Sequence, residues 1–287
     1  MKVYLDNAAT TPMATEVIEE MSKVMRENFG NPSSIHSFGR TAKGVIEVAR
    51  RNVAGMINAE PKEIIFTSGG TEADNMAILC AVKDLGVKRV ISSEIEHHAV
   101  GHTVEHLEDV QIDWVRLSET GMVDLDHLRE LLSSGPKTLV SLMHANNEIG
   151  TLLPNKEVSA MCKEYGAYFH SDTVQTMAHY PLDVQDFGAD FITCSAHKFH
   201  GPKGVGFLYV NKDLKIAPMI QGGAQERGLR GGTENITGIA GLAKALEIAM
   251  EDIQGHIDHV QGLKSYMMEQ LQARIPDVQF HGETEPS

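Results

Sequence analysis

Short runs rich in β-branched and aromatic residues recur along the chain, and longer stretches with helical periodicity separate them. "IIFTS" (64–68), "RVISS" (89–93), "TLVSLMH" (138–144), "AYFHSD" (167–172), "DFITCS" (190–195) and "GVGFLYV" (204–210) read as strands. Helical patterns fill 39–57, 72–85, 98–108, 124–134 and 155–165. This alternation narrows the choice of fold. Strands apolar on both sides must be covered on both faces, and parallel strands need long crossovers between them. The reading is an α/β chain with a mostly parallel central sheet and helices on both faces. Asp124 ahead of "LDHLRELL" and Asn155 after Pro154 mark helix starts. Residues 234–275 read as two long helices with no strand between, a shift that places a boundary near 255. The first dozen residues, rich in Asn, Ala, Thr and Pro, read as an arm. The expected organisation is an arm over 1–15, a large domain over 16–255, and the start of a smaller α+β domain over 256–287.

Composition removes several function classes. The net charge is −14 with no basic run, which argues against a nucleic-acid partner. The longest wholly apolar run, 76–82, is far short of the ~20 residues a membrane span needs. "MKVYLDNAATTP" carries no secretory pattern. The three cysteines, Cys80, Cys162 and Cys194, fit neither a zinc ribbon nor a disulfide framework, so a cytoplasmic location is expected.

Polar residues gather where the strands end, which is where open α/β sheets bind ligands. Thr71, His97, Asn147, Asp172, Gln175, Ser195, His197 and Lys198 all fall at such ends. "SGGTEADN" (68–75) is a glycine-rich turn opening a helix, a shape that can cradle phosphate, although Gly-Gly is often only a turn. Asp172 in "HSDTVQT" has two readings, a helix cap or a carboxylate facing a ring nitrogen. His98, His102 and His106 recur at helical spacing and could share a metal ion, but nothing stands at H-E-x-x-H spacing, and no metal is expected. "CSAHKFHGPKG" (194–204) is the most informative. A lysine between a hydroxyl and an imidazole at a strand end can lose its proton through partial burial and act as a nucleophilic amine.

Taken together these features imply a pyridoxal 5'-phosphate site, which needs a lysine, an acid for the ring nitrogen, a phosphate cradle and a ring to stack on. Lys198, Asp172, Gly70 with Thr71, and His97 supply these in order.

The residues also resemble a known family. "YLDNAATTP", "GNPSSIHSFGR", "FTSGGTEADN", "EHHAV", "MHANNEIG", "HSDTVQT", "SAHKFHGPKGVGFLYV" and "QERGLRGGTEN", in this order from residue 3 to about 240, are similar to the NifS/IscS-type cysteine desulfurases, class V members of the fold-type I pyridoxal phosphate enzymes. The resemblance implies that Lys198 bonds the cofactor and that His97 stacks on its ring and relays protons. It implies Asp172 at the ring nitrogen, Gln175 at the ring hydroxyl and Asn147 on the substrate side. It implies Thr71, Ser195 and His197 at the phosphate, and Thr233 reaching the phosphate of the other subunit of a homodimer. The implied reaction converts L-cysteine to L-alanine and a protein-bound persulfide. A sulfur-acceptor or iron–sulfur scaffold protein would then carry the sulfur to iron–sulfur clusters or thiolated nucleosides.

The chain departs from that pattern in two respects. The family's nucleophilic cysteine follows the "RGGTEN" motif, and this sequence has no cysteine after Cys194. The arginine expected to grip the substrate carboxylate also falls in the region this sequence does not contain. Cys194 reads as a small buried strand residue, and Cys80 and Cys162 as core or surface helix residues. The stretch "IPDVQFHGETEPS" reads as the beginning of a new strand, and the expectation is a fragment that does not desulfurate by itself. The alternatives are another class V enzyme, such as a selenocysteine lyase or aminotransferase, and a catalytically dead dimerising scaffold.

Overall fold

Every run expected to be a strand forms one, and a seventh joins them. The computed structural model of the protein describes residues 1–282. The strands are β1 (Ile64–Thr67), β2 (Arg89–Ser92), β3 (Gln111–Trp114), β4 (Thr138–Ser141), β5 (Tyr168–Asp172), β6 (Phe191–Ser195) and β7 (Gly206–Val210). They form one sheet in the order β1-β7-β6-β5-β4-β2-β3. Only β7 runs antiparallel to its neighbours, β1 and β6; the other pairs are parallel. β1 therefore points the same way as β6, and the carboxyl ends of β1, β2, β4, β5 and β6 share one edge.

β3 escapes the sequence reading for a physical reason. It is an edge strand, paired only with β2 through contacts such as Val90↔Ile112, and it is partly exposed. An edge strand needs no continuous apolar run, and "QIDW" has none.

Side-chain alternation splits the strands between two cores. Ile64, Phe66, Ile91, Val140, Ile192 and Phe207 face one; Ile65, Val90, Leu139, Phe191 and Leu208 face the other. The first core is closed by α1 (Thr15–Glu27), α2 (Ser37–Met56), α5 (Leu125–Leu132), α6 (Asn155–Tyr165), the short α7 (Val184–Phe187) and α8 (Ile236–Glu251). The second is closed by α3 (Gly70–Leu85) and α4 (His98–Glu105). Each fully buried aliphatic side chain here contributes about 1.5–3 kcal/mol relative to exposure. Helix α1 has no counterpart in the sequence reading, although Val17, Met21 and Val24 recur along it at helical spacing and Val17 and Val24 are buried.

Asp124 caps α5, accepting from His127 N–H at 2.9 Å, and α6 starts at Asn155, as expected. The two long helices after residue 234 are α8 and α9 (Ile253–Arg274), with Asp252 between them. No residue of α9 is buried, and Val260, Leu263, Tyr266 and Met267 on it are exposed. Residues 275–282 contain no strand, contrary to the expectation for "IPDVQFHGETEPS", whose last five residues lie outside the described part. With few apolar residues and no neighbouring strand to pair with, residues 275–282 have nothing to hold an extended ladder.

Candidate active site

The shared carboxyl edge opens into a cavity of about 300 Å³ lined by Gly70, Thr71, His97, Asn147, Asp172, Gln175, Ser195, His197 and Lys198, together with Ala9, Asp74, Met143 and Val174. Nine of the ten expected site residues thus meet in one place. The tenth, Thr233, does not; it is exposed and lines a separate cavity with Gly204, Arg230 and Gly232.

Each side chain arrives by a simple local route. Asp172 and Ser195 are the last residues of β5 and β6, and His97 is the N-cap of α4. Lys198 ends a short 3-10 turn, Ala196–Lys198, immediately after β6. Gly70 and Thr71 form the start of α3, whose N-cap Gly69 provides no side-chain bond. The first N–H groups of α3 therefore lack both intrahelical acceptors and a cap. Two glycines make this close approach possible. Gly69 has φ +150°, a conformation side chains avoid, and a Cβ on Gly70 would come within 2.9 Å of Val174 Cγ2.

Asp172 is buried, with Oδ1 accepting from Val174 N–H at 2.8 Å. That bond belongs to a turn and no helix follows, so the helix-cap reading is not met. Burial first, then the nearby Asp74 carboxyl, pushes the Asp172 acid up to about 7. Lys198 is half-buried, and burial pulls its amine below the ordinary lysine range against the pull of Asp172 and Asp6. Burial, with Lys198 and Lys203 nearby, also lowers the imidazole of His197.

The arm contributes more than the sequence suggested. Thr11 donates from both N–H and Oγ1 to His197 C=O, each at 2.9 Å, and His200 N–H donates back to Thr11 Oγ1 at 2.7 Å. Lys198 Nζ donates to the carbonyls of Ala8 and Ala9, and Gln175 Nε2 donates to Ala8 at 3.0 Å. No pattern in "LDNAATTP" announces this fold-back. Asp74 was also missed, although it had a legible signal: it lies four residues after Gly70 and three after Thr71, on the same face of α3.

The His98, His102 and His106 row faces solvent, with His98 and His102 stacked at 4.8 Å. Among the described residues, the one group of three or more potential metal ligands within 4.8 Å of one another is Asp74, His97 and Asp172. Cys80, Cys162 and Cys194 are all free and buried. No helix among the described residues is long and apolar enough to cross a membrane.

Residues 3–287 match the family model "Aminotransferase class-V". The chain is 47% identical over 285 residues to the cysteine desulfurase IscS of Dictyoglomus turgidum, spanning 98% of this chain and 72% of that protein. It belongs to the cysteine desulfurases of the class-V aminotransferase family. This cysteine desulfurase chain superposes on a solved NifS-like protein with a TM-score of 0.92 at 39% identity, covering 95% of this chain and 76% of the other. A second neighbour, SspA in complex with cysteine, gives a TM-score of 0.81 at 36% identity over 86% of this chain and 72% of that one. The fold, a mostly parallel sheet covered by helices, is thus that of the fold-type I NifS-like proteins.

Proposed function

We propose that this chain holds pyridoxal 5'-phosphate in the Lys198 cavity and takes sulfur from L-cysteine, leaving L-alanine. One observation carries the reading. An amine whose proton is loosened by burial, a buried carboxyl, an uncapped helix start and an imidazole all line one cavity. This donor set fits the group. The uncapped N–H groups of α3, with Thr71, Ser195 and His197, suit a phosphate dianion. Asp172 suits a protonated ring nitrogen, Gln175 a ring hydroxyl, and His97 a ring face. Bound there, pyridoxal phosphate would supply an aldehyde for the Lys198 amine and a ring that accepts the electron pair left when the amino acid loses its α-proton.

The residues of the chain do the rest. Lys198, once displaced by the incoming amine, is the base that takes the α-proton at Nζ and returns it. Half-burial suits it to this, because burial loosens the amine's hold on its proton. Asp172 keeps the ring nitrogen protonated by its negative charge in a buried setting. Asn147 orients the substrate side of the cavity, and His97 relays protons at the open face. Before the cofactor is attached, the carbonyls of Ala8 and Ala9 hold the Lys198 amine.

The sulfur acceptor in this reading is a thiol other than Cys80, Cys162 and Cys194. Burial pushes the first two up to about 12 and Cys194 well above the ordinary range, so none supplies a thiolate at neutral pH. The reading includes a homodimer in which Thr233 reaches the neighbouring subunit's cofactor phosphate. A cytoplasmic acceptor or scaffold protein then receives the sulfur for iron–sulfur clusters or thiolated nucleosides. The test is to load the purified chain with pyridoxal phosphate, add L-cysteine and an exogenous thiol, and measure alanine. Alanine formation that Lys198→Ala abolishes supports the reading. A well-folded chain that takes up no cofactor removes it.

A further inference from the structure

Beneath the cavity lies a second acid that the reaction above does not use. Asp74 is 1% exposed, yet it lines the cavity, and its Oδ1 has no hydrogen-bond donor. Its ligating oxygen, that of Asp172 and a ring nitrogen of His97 all lie within 4.8 Å of one another. The nearest basic atom to Oδ1 is His170 Nε2 at 3.4 Å. That imidazole is not a counter-ion. His170 is fully buried, Nδ1 meets Ser141 Oγ at 2.8 Å, and Nε2 also meets Thr193 Oγ1 at 3.2 Å. Burial drives it down to about 4, so it is neutral where the protein works.

The other groups around Asp74 do not supply a charge that would hold two carboxylates. From the loop after β2, Glu96 presents a third, partly buried acid, with Oε1 accepting from Ser93 Oγ at 2.7 Å and Met143 N–H at 3.1 Å, and desolvation pushes it up to about 8. His97 is exposed at the cavity mouth. Lys198, beyond Asp172, is engaged by the arm carbonyls. On α3 itself, Glu72 is committed to Arg230. Two carboxylates this close and this dry cannot both be charged, because the second must be formed against both desolvation and repulsion. Burial pushes Asp74 up to about 7 despite the Thr193 hydroxyl, close to the position of Asp172.

We propose that Asp74 is a positioning residue for Asp172: the two share one negative charge, Asp74 keeps the proton, and Asp172 is thereby left as the ionised acid facing the bound ring. This rests on reading the cavity as a pyridoxal phosphate site. Asp74 touches neither the ring nor the substrate in this proposal; it acts through the charge state of Asp172. Replacing it by a neutral isostere removes the second, repelled ionisation of the pair and leaves the Asp172 step where it was, because the Asp74 it replaces was already neutral.

Two measurements on the full chain test this. Carboxyl ¹³C NMR of aspartate-labelled protein without added cofactor follows Asp172 in the wild type and in Asp74→Asn. The expected wild-type titration is a coupled two-step curve, and in Asp74→Asn a single step at the position of the first wild-type step. The second measurement is pyridoxal phosphate affinity against pH, with Asp74→Asn expected to leave the acid limb of binding where the wild type has it. Because the wild-type NMR curve needs no variant, poor folding of Asp74→Asn leaves the test intact. A single uncoupled Asp172 step in the wild type, or an acid limb that moves down in the variant and so shows Asp74 carrying the charge, overturns the inference. If the wild type binds no cofactor, the cofactor reading fails, while the NMR curve still decides whether the two acids share a charge.

Discussion

Arg230 grips Glu72 side-on, with Nε to Oε1 at 2.8 Å and Nη2 to Oε2 at 3.0 Å. Glu72 Oε2 also accepts Ser68 N–H at 2.9 Å. Burial pushes the Glu72 carboxyl upward, but Arg230 and Ser68 outweigh it and leave it below the usual carboxylate range. The glycine-rich loop that carries Thr233 is thereby fastened to the first turn of α3, the turn that opens the cavity. A paired fork fixes rotation as well as distance.

Removing that fork is expected to loosen the cofactor site. Hydrogen bonds to a charged group are worth about 1.5–3 kcal/mol, so Arg230→Ala is expected to weaken pyridoxal phosphate binding by about tenfold or more. Arg230→Lys keeps the charge, loses the fork and recovers only part of the affinity. Absorbance titrations of both variants check this, and wild-type affinity in Arg230→Ala would separate the loop from the cavity.

Lys198 should be the point of covalent attachment. After borohydride reduction of the loaded protein, peptide mapping is expected to find the pyridoxyl group on Lys198 alone, and Lys198→Ala is expected to lose both the label and the yellow absorption. A label on Lys203 instead would move the assignment.

The interior ion pair Arg50–Glu226 anchors the same loop from the other side. Arg50 Nη1 and Nη2 meet the two carboxylate oxygens at 2.7 and 2.8 Å, and Phe66 N–H donates to Glu226 at 2.9 Å. Arg50→Ala leaves a buried carboxylate without its partner and is expected to cost about 3–5 kcal/mol in urea unfolding. Adding Glu226→Gln to that variant should restore part of the loss. A single-variant loss under about 1 kcal/mol would contradict the burial argument.

The thiols are expected to be silent. A thiol reagent should label Cys80, Cys162 and Cys194 only when the chain unfolds, since all three are buried and protonated. Replacing each by Ala should leave cysteine-dependent alanine formation unchanged. Fast labelling of any one in the native protein, with loss of activity, would make it a candidate sulfur acceptor.

Stability without cofactor should carry the mark of Asp74. The folded protein keeps that proton up to about 7, while an unfolded aspartate releases it near 3.8. Between these values the native state binds more protons, so this contribution falls as pH rises from about 4 to about 7. His170 has the opposite sign, because it stays neutral down to about 4 in the fold, and its contribution is lost as pH falls from 6.5 toward that value. Asp74→Asn removes the first contribution only. Its melting temperature relative to wild type should therefore rise between pH 5 and pH 8, and a flat difference would remove the shifted acid.

The sequence by itself determined the alternation of strand and helix and, β3 aside, roughly where the strands stop. Parallel strands bring their carboxyl ends to one edge, so Asp172, Ser195, Lys198, His97 and Gly70 were legible as neighbours although no pattern measured the distances between them. Periodicity failed at β3, a partly exposed edge strand, because it records burial rather than backbone shape. Only the tertiary structure decided what these residues meet. The arm lies across Lys198, Arg50 pairs with a glutamate 176 positions away, and Asp74 comes beside Asp172. Those contacts depend on strand order and chain closure, which no local spacing encodes. Burial then decides the charges: an aspartate on a helix face is an ordinary acid until the sheet removes its water.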